Sequence, residues 1–208
     1  EKKAIQQKLN DGVTIIPFSK QQKTYILFPM EIDANADKDN VHEKLRVQGN
    51  TIYKTCKEHK EPDVSIEVLG DIGKEFLASL LLGINLSDYE FLKYRTKPKG
   101  YNLTIHIDPI LLDEASVNEL NLIAESVRIT KDLVNEPVSF LTATQYSKEI
   151  QKIGEAAGFN VTVLDQKEIE AEQMGGVIAV NLGSSAPATF NILEYKPATH
   201  KNVQPLVL

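Results

Sequence analysis

Apolar and polar positions follow two rhythms along this chain. Val13-Thr14-Ile15-Ile16 and Thr24-Tyr25-Ile26-Leu27-Phe28 are rich in β-branched and aromatic residues, which predicts two strands joined by a polar turn at Ser19–Lys23. Pro29–Asn40 is acidic and polar, the composition of an exposed loop. Val41–His59 then takes up helical spacing, with Val41, Leu45, Ile52 and Cys56 on one side. Val64–Val68 alternates with period two and predicts a strand, and Ile72–Ile84 predicts a helix closed near Gly83. Phe91–Tyr94 and Leu103–Ile107 predict short strands linked by the basic turn Lys97-Pro98-Lys99-Gly100. The first part therefore reads ββαβαββ.

The second part opens with the longest helical pattern, Ala115–Val134. Pro137 ends it, because the residue before proline avoids the helical region. Thr142 with Gln145 three residues later is a capping box, which starts a helix running to Gly158, a suitable C-cap. Phe159–Leu164 predicts a strand and Asp165–Glu168 the cap of a short helix, which Gly175-Gly176 breaks. Val177–Val180, Phe190–Tyr195 and Leu206 onward predict three more strands, giving αβαβββ. Alternating strands and helices argue an α/β fold with sheets covered by helices. The boundary between the two parts is expected between Ile129 and Leu141, and is drawn as residues 1–135 and 136–208.

Composition narrows the function classes. The chain has 208 residues, 42% hydrophobic and 25% charged, with a net charge of -6. Up to Arg128 there are 17 basic and 20 acidic residues, and beyond it 6 and 9. Both parts stand at -3, so neither is a basic surface for a phosphate backbone. The one basic cluster, Lys93, Arg95, Lys97 and Lys99, reads as a solvated turn, and no nucleic-acid partner is expected. No run approaches the 18 apolar residues of a membrane span. The N-terminal EKKAIQQKLNDG lacks the apolar core of a signal peptide. It also lacks an initiator methionine, so a processed or excised piece is expected, and the stop at Leu208 reads as a strand cut short. A single cysteine, Cys56, points to a reducing compartment, and a cytoplasmic location is expected.

The sites that local chemistry singles out are weak. His42, His59, His106 and His200 have no metal-ligand spacing around them and read as surface or partly buried side chains. Cys56 shares a helical face with Ile52 and reads as core rather than nucleophile. Gly70-Asp71-Ile72-Gly73-Lys74 follows a strand and opens a helix, the context of a phosphate loop, but matches neither GxGxxG nor GxxxxGK[ST]. Gly175-Gly176 and Gly183-Ser184-Ser185, with Ala186-Pro187, read as turns around a strand, with a ligand loop as the alternative. Asp132-Leu133-Val134-Asn135-Glu136-Pro137 is more distinctive: two carboxylates and an amide gather where a helix ends, first of all as a structural junction.

Two stretches carry a resemblance. Lys131–Pro137 followed by Leu141-Thr142-Ala143 resembles the RDLxNxPxxxLTP junction of the leucyl (cytosol) aminopeptidases, hexameric two-metal exopeptidases. Val163-Leu164-Asp165 with Glu168, Met174-Gly175 with Ala179-Val180, and Gly183-Ser184 with Pro187 are similar to that family's VLDxxxxxxxGMGxxxAVxxGSxxPP. Leu193-Glu194-Tyr195 and Pro205–Leu208 match the strands that follow. Lys131, Ala143, Gln173 and Ala188 depart from the usual Arg, Pro, Gly and Pro, and none stands at a catalytic position of the family.

The resemblance implies a macro-like N-terminal domain followed by the start of a catalytic domain, in an enzyme that removes N-terminal amino acids from peptides. It implies two divalent ions (Zn, Mn or Mg) activating a water, with a lysine and an arginine stabilising the oxyanion, in a homohexamer. The family's metal and catalytic motifs, VGKGxxFD[ST]GG and NTDAEGR, do not occur in these residues. No catalytic, cofactor-binding or metal-ligating residue is therefore expected here, and the segment alone is expected to be inactive. The alternative reading is a non-catalytic macro-like module holding a small nucleotide derivative at Gly70–Gly73 or Gly175–Ser185.

Overall fold

The computed structural model describes residues 2–13, 15–20, 23–29, 36–70, 72–199 and 204–207. The chain is mixed α/β and divides into two compact units, residues 1–132 and 133–208. The described strands form three separate two-stranded sheets, where the pattern predicts larger covered ones.

In the first unit the charged N-terminal stretch, for which the pattern predicts no element, forms helix α1 (Lys2–Asn10). It buries none of its residues, and Ile5 and Leu9 are only partly covered. Val13 lies just past that helix, its amide bonding back to the Lys8 carbonyl at 3.0 Å. Strand β1 (Ile16–Lys20) consequently starts later than predicted and pairs antiparallel with β2 (Lys23–Leu27), Phe18 opposite Tyr25 with their rings stacked.

Helix α2 (Lys38–His59) buries Val41, Leu45, Ile52 and Cys56, the face that the spacing predicts, together with Tyr53. Helix α3 (Lys74–Ser87) runs through Gly83 rather than stopping there. The reason lies in packing. A Cβ on Gly83 would sit 2.2 Å from the Arg46 carbonyl oxygen, and one on Gly49 2.3 Å from that of Leu80. The two glycines therefore let the backbones of α2 and α3 touch, an approach only glycine permits.

Strand β3 (Asp63–Ile66) pairs in parallel with β4 (Thr104–Ile107), matching Val64 to Ile105 and Ile66 to Ile107. Those apolar residues pack on the core of Ile52, Tyr53, Cys56, Leu77, Leu80 and Ile84. Phe91–Tyr94 forms no strand. It turns, the Arg95 amide bonding to the Leu92 carbonyl, and its two aromatic rings pack on each other. The aromatic density that suggests a strand is satisfied locally.

Helix α4 (Glu114–Asn135) matches its pattern and crosses from the first unit into the second. In the second unit, α5 (Ala143–Ala156) starts at Thr142, whose hydroxyl accepts from the Gln145 amide. The Gln145 side chain bonds Glu149 instead of returning to the cap, so half of the predicted box forms. Strand β5 (Asn160–Leu164) pairs antiparallel with β6 (Phe190–Glu194), and Gly154 of α5 lets Val161 approach closely. Asp165 caps α6 (Gln166–Ala171) with a complete reciprocal box.

Gly175-Gly176 begins helix α7 (Gly175–Asn181), so Val177–Val180 is helical where the pattern predicts a strand. The Val177 and Ile178 amides bond the Met174 carbonyl, and that first turn overrides the β-branched preference. Residues 204–207 lie in no strand.

Candidate functional site

A polar cluster of the first unit forms where the end of α3 meets α4. Helix α3 has no basic residue in its own last turn. Helix α4 supplies two. Arg128 Nη2 donates to the Asn85 Oδ1 at 2.9 Å and to the Asn85 carbonyl at 3.3 Å, and stands 3.4 Å from Asp88 Oδ2. Lys131 Nζ donates to the Leu86 carbonyl at 3.3 Å and lies over the Tyr89 ring. Cations at open carbonyls offset the negative end of the α3 dipole.

Asp132 completes the clasp by accepting from the Tyr89 hydroxyl at 2.9 Å. The first two residues of the Lys131–Pro137 stretch, Lys131 and Asp132, thus anchor α4 to α3. Further along it, the Phe140 and Leu141 amides both bond the Pro137 carbonyl at 2.9 Å. These contacts are structural and present no reacting group.

Beside the clasp, Lys57 pairs with Glu90 and faces the rings of Tyr53 and Tyr101. Burial raises the proton affinity of the Tyr53 and Tyr101 hydroxyls, and the Asp88 charge raises that of Tyr53 further. Burial also lifts the Asp88 carboxyl above its ordinary value, against the opposing pull of Tyr53 and Arg128. The Glu90 contact raises the Lys57 ammonium. Such an acid, base and phenol cluster is where perturbed groups gather in functional sites, but ion-pair networks that hold a fold together produce the same shifts.

The histidines do not assemble. His42 Nδ1 lies 2.7 Å from the Ser79 hydroxyl, inside the α2–α3 contact, with its ring against Phe76. His59 is exposed in the last turn of α2. His106 Nε2 pairs with Asp63 Oδ1 at 3.0 Å across the exposed side of the β3–β4 ladder. His200 lies outside the described residues. Cys56 is buried in the core, and burial raises its thiol, the opposite of an activated nucleophile.

Gly70 and Gly73 take positive φ, and Gly73 precedes the first turn of α3, so both are required by the turn from β3 into that helix. Lys93, Arg95, Lys97 and Lys99 fall in the exposed segment before β4. The Gly175–Pro187 segment borders an open groove of about 690 Å³ lined by Gly176, Val177, Val180 and Ala188. A smaller hollow of about 340 Å³ adjoins Asn181, Ser184 and Pro187. No lining residue of either carries an ionisable side chain, so neither offers a general acid or base; the larger groove is mostly apolar, and the smaller hollow also presents the polar side chains of Gln166, Asn181, Ser184 and Ser185. Among the described residues, no three His, Cys, Asp or Glu side chains gather as a metal site. No described helix is long and apolar enough to cross a membrane.

Comparison with known proteins gives this geometry its context. Residues 128–208 match the profile of the cytosol aminopeptidase family, catalytic domain. A probable cytosol aminopeptidase of Chloroherpeton thalassium is 46% identical over 77 residues, 37% of this chain and 15% of that protein. A second, from Persephonella marina, is 30% identical over 204 residues, covering 92% of this chain and 40% of its own length. A third, from Sulfurihydrogenibium sp., is 27% identical over 94% of this chain and 42% of its own. The last two reach back through the first unit, where no motif is legible. The chain spans about two fifths of their length.

Among solved structures, a tomato leucine aminopeptidase variant superposes with a TM-score of 0.75 at 17% identity, over 91% of this chain and 39% of that one. The bottromycin maturation enzyme BotP gives a TM-score of 0.75 at 18% identity over 92% of this chain and 43% of that one. A further structure of BotP is a complex with Mn. These likenesses show a shared fold. The profile match and the long alignments with curated relatives make the chain similar to the cytosol aminopeptidases, with residues 128–208 matching the family's catalytic domain.

Proposed function

We propose that this chain is the N-terminal portion of a leucyl aminopeptidase, an enzyme that removes N-terminal amino acids from peptides with a water activated by two divalent ions. The observation that carries the reading is the catalytic-domain match over residues 128–208, reached in sequence through the ordered motifs from Lys131 to Pro187. The first unit serves as a macro-like N-terminal domain and the second as the beginning of the catalytic domain.

The described residues do not fit a metal centre, because they gather no ligand cluster. In this reading the zinc, manganese or magnesium ions, and the groups that stabilise the oxyanion, belong to other residues of the enzyme. This segment acts as scaffold. Arg128, Lys131 and Asp132 fix α4, which leads directly into the catalytic-domain fold. The intact enzyme is expected to be cytoplasmic, to form a homohexamer and to act on peptides.

The gene provides the test. The reading predicts that the codons after Leu208 encode a VGKG-like turn followed shortly by an aspartate. A stop codon there in the native gene, or an unrelated continuation, refutes it.

A further inference from the structure

The second unit, residues 133–208, hides little of its apolar surface. Among its described residues Ser147, Gly154, Ile169 and Ala188 are the buried ones, so only Ile169 and Ala188 supply buried apolar side chains. Val180 in α7 and Leu182 just past it are 86% and 84% exposed. Val180 also borders the open groove shared with Gly176, Val177 and Ala188. Apolar surface gathered in this way marks a face that another part of a protein covers.

The β5–β6 sheet shows which edge is concerned. Val161 and Leu193 are cross-strand partners on one face, and Thr162 and Ile192 are partners on the other. Helix α5 packs on the first face, where a Cβ on Gly154 would stand 2.4 Å from Val161 Cγ2 and 3.8 Å from Leu193 Cδ2. Strand β5 alternates the exposed polar Asn160 and Thr162 with the part-buried Val161 and Val163, the pattern of a strand with one wet face. Strand β6 does not alternate. Ile192 and Leu193 point to opposite faces, and both are apolar and about half exposed.

Apolar side chains on both faces belong to a strand inside a sheet that is covered on both sides. Within its span β6 carries no lysine, no proline and no bulge, the features that blunt a genuine sheet edge. Two strands alone also make a marginal sheet.

We propose that β6 is an interior strand of a larger sheet, its free edge pairing with a strand from the part of the enzyme that follows Leu208. The length of the relatives supports this occupant: the chain spans 40% and 42% of two of them, and the catalytic-domain match runs to residue 208. The inference rests on the aminopeptidase reading for the existence of that strand. It adds the edge that the strand completes and makes the order of the second unit depend on it.

Hydrogen exchange read by mass spectrometry tests it, on the 208-residue chain and on the product of the reading frame continued past Leu208. Peptides from β6 should exchange at the rate of an open strand in the shorter chain. In the longer protein they should slow toward the rate of α2 and α3, which rest on their own core and should exchange alike in both. Light scattering on the same samples detects a second copy. Protection of β6 in a monomeric 208-residue chain, or in a dimer of it, overturns the proposal. A longer protein that hydrolyses leucyl-p-nitroanilide while β6 still exchanges openly defeats this inference alone. A stop codon after Leu208 in the native gene defeats the reading beneath it, and this inference with it.

Discussion

Replacing Gly83 with alanine tests the packing argument most severely. The added Cβ would lie 2.2 Å from the Arg46 carbonyl oxygen, 2.6 Å from its Cα and 2.7 Å from its carbonyl carbon. Ordinary contact begins at 3.4 Å, so α2 and α3 must separate by roughly an ångström, and no side chain can rotate to absorb it. In favour of the variant, alanine gains about 1 kcal/mol of helix propensity over glycine. Against it stand about 1–3 kcal/mol of overpacking strain.

The separation also loosens Leu45, Ile52, Leu80 and Ile84, each 8% exposed or less. Burial of each contributes about 2 kcal/mol. A gap of that size forfeits about a quarter of the contact energy, or about 2 kcal/mol over the four. The balance is a loss of about 2–4 kcal/mol. Urea unfolding followed by far-UV circular dichroism would read this as a lower midpoint, with Gly176→Ala as the control. A Cβ on Gly176, also in a helix, meets nothing within 4 Å, so that variant should be neutral or slightly stabilised. A Gly83→Ala protein as stable as the parent would refute the close-approach reading.

Three further outcomes follow from single contacts. Asp165 accepts from the Lys167 and Glu168 amides at 2.8 and 3.0 Å, so Asp165→Ala should cost about 1 kcal/mol and speed hydrogen exchange at those two amides. The raised Asp88 carboxyl binds its proton more tightly folded than unfolded. Its contribution to stability is present at low pH and is lost as pH rises from the unfolded value through the folded one. Asp88→Asn should remove that part of the pH dependence, seen by comparing unfolding midpoints from pH 3 to 7. Cys56 is 3% exposed with its thiol raised by burial, so a thiol reagent should label it slowly in the native protein and promptly in urea. Fast native labelling would contradict the buried placement.

Much of the fold is legible where one local rule acts alone. The apolar stripe of α2, the uninterrupted periodicity of α4, the Thr142 cap and the Asp165 box are each set by neighbours within a few residues. Reading fails where a distant contact decides. Gly83 looks like a helix stop until α2 is seen to press on it. Val177–Val180 looks like a strand because its β-branched preference is local, whereas the turn at Met174 commits it to helix.

The clasp is legible only in part. Lys131 and Asp132 stand in a recognisable motif, but their partners Leu86 and Tyr89 lie more than 40 positions away and carry no pattern of their own. The kinship of the first unit is equally hidden. The alignment with the Persephonella marina relative covers 92% of the chain, yet the first unit holds no motif that can be read by itself.

The central claim is that this chain is the scaffold-bearing beginning of an aminopeptidase whose reacting groups stand on other residues. Hydrolysis of leucyl-p-nitroanilide with Mn²⁺ or Zn²⁺ measures it directly, comparing this chain with the product of the reading frame continued past Leu208. The account predicts no turnover by residues 1–208 and metal-dependent turnover by the longer protein. Release of p-nitroaniline by the 208-residue chain, or a folded longer protein that releases none with either metal, would contradict it.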